Sequence, residues 1–423
     1  MARSNGLGNR TLPINRVYVA GIGMTPFGKL ENLTVKDLTR QAVTEALADA
    51  GSGSEPIGVA FFANATQGIL EGQSVVRGQI ALRAMGIHGV PIANVENACA
   101  SGSTAFHLAC VYVQAGIADV ALAVGCEKMY SADKQKTFSV FSGGWDVHES
   151  NKIVARLLAL GDGVSPPPGI KDQELKSVFL DVYAAIAKYH MKTFGLTERQ
   201  LAIVASKNHE HSVFNPHSQY RHPMTVEEVL AAKTVAWPLT LPMCSPISDG
   251  AAAILLCSRE ALCRFPKSRP IKVLASVLAS GVEREWGQFD QHIARRAAVQ
   301  AYEQAGLSPE DMSVAEVHDA TAFGEILQSE CLGFCGVGEG GALAESGATR
   351  LGGRIPINVS GGLESKGHPV GATGIAQICE LTCQLRGESG TRQVPGARLA
   401  IAANGGGFYG VEEAAACVNI LGK

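Results

Sequence analysis

Parts of this 423-residue chain are copies of other parts, and a chain built from two copies of one unit is constrained to fold as two similar halves. At a constant offset of 255, Arg40 to Gly51 (RQAVTEALADAG) lies on Arg295 to Gly306 (RRAAVQAYEQAG), and Val59-Ala60 and Ala65-Thr66 lie on Val314-Ala315 and Ala320-Thr321. At an offset of 269, Glu96 to Ala105 (ENACASGSTA) lies on Ser365 to Gly374 (SKGHPVGATG), with Gly102 over Gly371 and Thr104 over Thr373. Each of the last two segments reads as a small-residue turn opening a helix. The first carries Cys99 where the second carries His368.

That placement has a chemical consequence. A helix N-terminus offers unpaired N–H donors and a partial positive charge that favours an anion. The expectation for Cys99 is therefore a thiolate, the nucleophilic form, stabilised or deprotonated by a neighbouring histidine. If the halves pack about a pseudo-twofold axis, Cys99 and His368 meet in one pocket. His318, at the end of an apolar strand, is a third candidate, with Asp319 beside it as an orienting or structural carboxylate.

The hydropathy pattern alternates strand and helix. Arg16–Gly23 reads as a strand, Val35–Ala50 as a helix behind a Thr34 cap, and Gly58–Ala63, Val90–Glu96 and Val120–Val124 as further strands, which implies βαβ units in a mostly parallel sheet. The alternation breaks between Glu127 and Pro242, returns at Ser248–Cys257, and starts again near Ile271. The expected division is a first half from residues 1–126 and 241–268, an inserted lid-like loop domain at 127–240, and a second half at 269–423. Gly333–Gly353 reads as an exposed loop.

Composition excludes several classes. With 36 basic and 39 acidic residues well mixed, no nucleic-acid partner is expected. Apolar runs such as Leu399–Ala403 are far short of the roughly 20 residues that span a bilayer. Residues 1–13 (MARSNGLGNRTLP) lack an apolar targeting core, and the final Leu421-Gly422-Lys423 is not a peroxisomal Ser-Lys-Leu, so the cytoplasm is the expected compartment. Eleven cysteines in apolar segments fit free thiols. No metal is expected: Cys331/Cys335 and Cys379/Cys383 lack complementary pairs, and His209, His211, His217 and His222 read as a solvated loop.

With these elements placed, the chain resembles the thiolase superfamily nearly end to end, and within it the sterol-carrier-type thiolases and their bacterial and archaeal relatives. The likeness rests on NACASGS around Cys99, Ser248-Asp249-Gly250-Ala251-Ala252-Ala253, Glu316-Val317-His318-Asp319-Ala320, GGLESKGHPVGATG around His368, and Ala403-Asn404-Gly405-Gly406-Gly407. It implies an α/β thiolase fold: two βαβαβαββ halves in five αβαβα layers with an inserted loop domain. It also implies cleavage of a 3-oxoacyl-CoA by CoA as cosubstrate, with no permanently bound cofactor. On the same likeness Cys99 carries the acyl group, His368 activates it, His318 holds the enolate oxygen, and backbone N–H groups at Cys99 and near Gly406 hold the tetrahedral oxyanion. Lys207, Arg221 and Ser245 are the implied CoA contacts. The implied assembly is a homodimer, with a small OB-fold and zinc-ribbon subunit as a further partner.

One departure matters. The second cysteine that thiolases use as acid/base is absent, its two usual positions reading Ala320 and Ala403, so its proton falls to His368, His318, water or a further residue. Such a change accompanies α-substituted substrates, and also the thiolase-like retro-aldolases that act on steroid side-chain 3-hydroxyacyl-CoA esters; a non-catalytic lipid-transfer homologue is the third alternative. Gly125–Ser150 is similar to the thiolase subunits of benzoylsuccinyl-CoA thiolases, which implies (S)-2-benzoylsuccinyl-CoA as substrate, cleaved to benzoyl-CoA and succinyl-CoA.

Overall fold

The computed structural model describes residues 16–174 and 176–423; the targeting expectation drawn from residues 1–13 lies outside them. Eleven strands are present among the described residues: β1 (Val17–Met24), β2 (Val59–Ala63), β3 (Ile92–Val95), β4 (Val120–Glu127), β5 (Thr234–Ala236), β6 (Leu239–Thr240), β7 (Gly250–Ser258), β8 (Ile271–Ser280), β9 (Val314–Glu316), β10 (Leu399–Gly406) and β11 (Ala415–Gly422). Nine form one sheet in the order β3-β2-β4-β7-β1-β8-β11-β10-β9, and β5 and β6 make a separate hairpin. Within each half only β7 or β11 runs against the other strands, but each sits between two of them and the halves themselves meet antiparallel. Five of the eight pairings are therefore antiparallel, and the sheet is mixed rather than mostly parallel as expected.

The two halves meet at β1 and β8, which pair antiparallel through Tyr18↔Lys272 and Val19↔Ile271. β1, β2, β4 and β7 of the first half correspond in order to β8, β9, β10 and β11 of the second. The counterpart of β3 is reduced to a single bridge, Ala315↔Ile357, so the second half departs from the full repeat. Helices Ser101–Gln114 and Val370–Arg386 pack on each other and on strands of both halves, forming a middle layer. Val35–Ala50 covers the outer face of the first half and Ile293–Ala305 that of the second, completing five layers. Thr34 caps its helix with a reciprocal box to Asp37, as expected from the sequence.

Phe61, Phe106, Ile375, Ile378 and Leu381 are buried in the core around the middle layer. The segment 127–240 leaves the sheet after β4 and is mostly helical, with Val178–Phe194 and Glu198–Ser212 as its longest helices. Its apolar core is shared with the second half through Trp286, Phe323 and Phe408, so it is packed down rather than free-standing. The Gly333–Gly353 stretch, expected as exposed loop, contains the helix Gly340–Glu345 with Gly340, Gly341 and Ala344 buried. Among the described residues no helix is long and apolar enough to cross a membrane.

Candidate active site

Cys99 precedes the Ala100 cap of helix Ser101–Gln114, and His368 precedes the Pro369 cap of helix Val370–Arg386, so the two residues hold equivalent positions in the two copies. The helices cross where side chains vanish. A Cβ on Gly102 would lie 2.6 Å from the Gly371 carbonyl oxygen, and one on Gly374 would lie 2.5 Å from the Ser103 nitrogen. This backbone contact brings Cys99 Sγ to 3.3 Å from His368 Nε2.

The hydrogen-bond network sets the tautomers. Thr373 Oγ1 donates to the Pro369 carbonyl at 3.1 Å and lies 2.7 Å from His368 Nδ1, so Nδ1 carries the proton and Nε2 presents its lone pair to the thiol. Thr104, the partner of Thr373 in the duplication, makes the same bond to Ala100 at 2.8 Å. His318 is arranged the other way. Asn404 Nδ2 donates to His318 Nδ1 at 2.9 Å, and Ser103 Oγ holds Asn404 Oδ1 at 3.0 Å, so the His318 proton sits on Nε2 as a donor. The two imidazole rings stand 5.3 Å apart, edge to face.

Electrostatics corrects one expectation. Burial pushes the Cys99 thiol up to about 12, with the Glu127 charge adding to it, so the resting residue is a thiol and not the thiolate that its helix start suggested. Burial, then His318 and Lys366, hold His368 well below the usual histidine range, and burial holds His318 at about 4. The resting pair is thus neutral thiol and neutral imidazole. Proton transfer to His368 must accompany attack, which suits a general base acting on a nucleophile.

The turn that carries Cys99 is strained and tightly held. Ala98 has φ 47°, in the left-handed region that a residue with a Cβ seldom adopts. A Cβ on Gly406 would lie 2.3 Å from the Asn97 carbonyl oxygen and 2.9 Å from the Cys99 nitrogen, so β10 presses bare backbone against this turn. Asp319 is fully buried and accepts from Leu363 N–H at 2.8 Å and Asn208 Nδ2 at 3.1 Å, tying the His318 loop to the one that leads to His368. Its role is structural.

Cys99, His318, His368 and Gly406 open onto one cavity of about 1600 Å³. Phe138, Phe141, Phe179, Tyr183 and Phe408 line one wall, with Trp145 behind, 5.1 Å from the Phe408 ring. Lys29, Lys134, Lys171, Lys176 and Lys233 also line it, as does Ser245, whose N–H donates to Ala320 at 3.0 Å. Lys207 does not. It is fully buried, with Nζ 2.5 Å from Glu325 Oε1 and 2.8 Å from the Ile357 carbonyl oxygen, so the expected phosphate contact is corrected. Arg221 is exposed outside the cavity wall and donates to Val213.

The solvated-loop reading of the histidine cluster fits His222, which is exposed, and in part His217, which is half-buried in a turn, but not the other two. His209 and His211 are buried on a helix; His211 Nδ1 lies 3.1 Å from the Asn358 carbonyl oxygen and its Nε2 accepts from Leu351 N–H. Of the two positions read as missing the second cysteine, Ala320 lines the cavity, but Ala403 faces the outer core of the second half. The residue on β10 turned toward His318 is Asn404, a role that nothing in the sequence around it indicates. Cys99 Sγ, one ring nitrogen of His318 and one of His368 all lie within 4.8 Å of one another.

Comparison with known proteins identifies the family. The model "Thiolase, N-terminal domain" matches residues 17–260, and "Thiolase C-terminal domain-like" matches 283–423. An acetyl-CoA acetyltransferase of Methanothermobacter thermautotrophicus is 38% identical over 93% of this chain and 97% of its own length. The benzoylsuccinyl-CoA thiolase subunit BbsB of Thauera aromatica is 35% identical over 93% and 95%, and bovine sterol carrier protein 2 is 37% identical over 92% and 70%. Among solved structures, the "Ltp2-ChsH2(DUF35) aldolase" superposes with a TM-score of 0.74 at 23% identity, covering 96% of this chain and 97% of that one. Human mitochondrial 3-ketoacyl-CoA thiolase in complex with CoA gives 0.66 at 19%, covering 97% and 99%.

Proposed function

The chain belongs to the thiolase family, and we propose that it is a CoA-dependent acyltransferase that cleaves a bulky or α-branched 3-oxoacyl-CoA through an acyl-Cys99 intermediate. The observation that carries this reading is the 3.3 Å approach of Cys99 Sγ to a His368 nitrogen whose lone pair faces it. His368 takes the thiol proton as sulfur attacks the 3-oxo carbon. The C2–C3 bond then breaks, and the electron pair passes to the enolate of the departing thioester, whose oxygen His318 Nε2–H stabilises. CoA sulfur attacks the acyl group, Cys99 leaves, and His368 returns its proton. Backbone N–H groups of Cys99 and Gly406 hold the tetrahedral oxyanion.

The aromatic wall supports an aromatic acyl group, and the relationship to the Thauera subunit makes (S)-2-benzoylsuccinyl-CoA the first candidate. Lysines at the cavity suit the phosphates of CoA, with Ser245 on its wall and Arg221 beyond it as further contacts. A homodimer is supported by the sheet's open edge at β3, beside which Val75 and Val76 are 68% and 50% exposed. The small OB-fold and zinc-ribbon subunit remains part of this reading.

Intact mass spectrometry of the protein mixed with benzoylsuccinyl-CoA and other 3-oxoacyl-CoA esters tests the reading. An acyl adduct on Cys99 that vanishes on adding CoA, and is absent in Cys99→Ala, is the expected result. Cleavage of a 3-hydroxyacyl-CoA without an adduct, surviving Cys99→Ala, would move the chain to the retro-aldolases.

A further inference from the structure

The reaction needs a proton at the carbon released by C–C cleavage and must remove one from the incoming thiol. No second cysteine stands at Ala320 to move them. His368 and His318 are already committed. Glu127 accepts from Ala65, Thr66 and Gly371 N–H groups, and the Cys244 thiol, which burial pushes up, points to the Thr240 carbonyl oxygen at 3.5 Å.

We propose that Glu413 is the general acid–base of the reaction, protonating the enolate carbon and then accepting the thiol proton of CoA. This deepens the acyl-transfer reading and rests on it. Glu413 lies in the turn between β10 and β11, is 6% exposed, and lines the same cavity as Cys99 and His318. Its carboxyl takes the space of the side chain that Gly405 lacks: a Cβ there would lie 3.1 Å from Glu413 Oε1.

The other oxygen is 3.5 Å from His292 Nε2. His292 Nδ1 accepts from Ala294 N–H at 3.2 Å, and Cys331 Sγ lies 3.5 Å from the same nitrogen, so the His292 proton is on Nε2. Burial, with Arg284 and Arg296 adding, holds His292 at about 3; it is a neutral donor and no counter-cation. Arg284 is committed to Glu412 at 2.6 Å, and Tyr183 faces the same pocket as Glu413. Burial pushes Glu413 up to about 7, the Glu412 charge raising it and Arg284 opposing, which suits a group that must be acid in one step and base in the next.

The protons balance. Glu413–COOH gives its proton to C2 as the enolate collapses, leaving the shorter acyl-CoA and a carboxylate. That carboxylate takes the S–H proton of CoA as its sulfur attacks acyl-Cys99, and the departing Cys99 sulfur recovers its proton from His368.

Glu413→Gln separates this role from packing. Benzoylsuccinyl-CoA measures the full reaction, and S-(4-nitrophenyl) thiobenzoate acylates Cys99 with a thiolate that leaves without a proton. The expected result is a fall of about 10²–10⁴ in cleavage with Cys99 acylation by the aryl thioester kept within about 2-fold, and loss of the decline in kcat/KM above about pH 7. Cleavage at the unaltered rate, or an unchanged pH limb, would overturn the proposal. So would parallel loss of both reactions, which would make Glu413 structural. If the unaltered protein forms no Cys99 adduct with either ester, the acyl-transfer reading itself falls.

Discussion

At the scale of single residues the site depends on where two protons rest. Thr373 fixes the His368 tautomer at 2.7 Å, so Thr373→Val, which keeps the shape and removes the acceptor, should lower turnover by about 10²-fold, near the low end of what a positioned base contributes. Steady-state kinetics with the protein's melting temperature unchanged is the check. Cys99 and His368 were legible in the sequence because the duplication set them in register, whereas the Thr373 hydroxyl showed only as a repeat position matching Thr104, with no role attached. The protonation state of Cys99 was not legible. A helix start argues for a thiolate, but the desolvation that overrides it depends on walls supplied by distant segments. Asn404 was hidden for a related reason: strand direction decides whether residue 403 or 404 faces His318, and a Gly-rich strand end carries no alternating pattern to reveal it.

At the scale of elements, the decisive contact is the crossing of the two central helices at Gly102 and Gly371. Gly102→Ala should separate the helix starts, cost about 1–3 kcal/mol of stability, and reduce Cys99 acylation. Gly28→Ala, at a position with nothing within 4 Å, is the matched control and should do neither; denaturant unfolding and mass-detected acylation check both. The strands and the capped helix Val35–Ala50 were readable because apolar period and cap chemistry agree. The helix Glu198–Ser212 was misread as solvated loop because its histidines and Lys207 look polar in one dimension. In the fold they meet buried partners, Glu325 and the Asn358 carbonyl oxygen, contributed from more than a hundred residues away.

For the whole molecule, buried neutral histidines set the acid limit. His211 and His292 are held at about 3 and His318 at about 4, against about 6.5 for an unfolded chain. Below about 6.5 the unfolded state therefore binds protons that the folded state refuses, so stability falls as pH drops toward 4, by ~1.4 kcal/mol per pH unit per histidine. Glu413 acts oppositely, its contribution present below about 4.5 and lost as pH rises through about 7, and burial raises Glu127, Glu316, Asp319 and Glu364 in the same sense. Seven lowered histidines, with His107, His209, His217 and His368 added to these three, stand against these five raised carboxyls. Thermal melting across this range should show a steep acid limb, and a flat profile would contradict these burial states.

The separation of Cys99 and His368 is set by backbone meeting backbone in the middle layer, while the aromatic wall comes largely from the segment between β4 and β7. Reactivity and selectivity thus reside in different parts of the chain. Substitutions in that wall can therefore reshape the acyl pocket while leaving the backbone contact that spaces the reacting pair untouched.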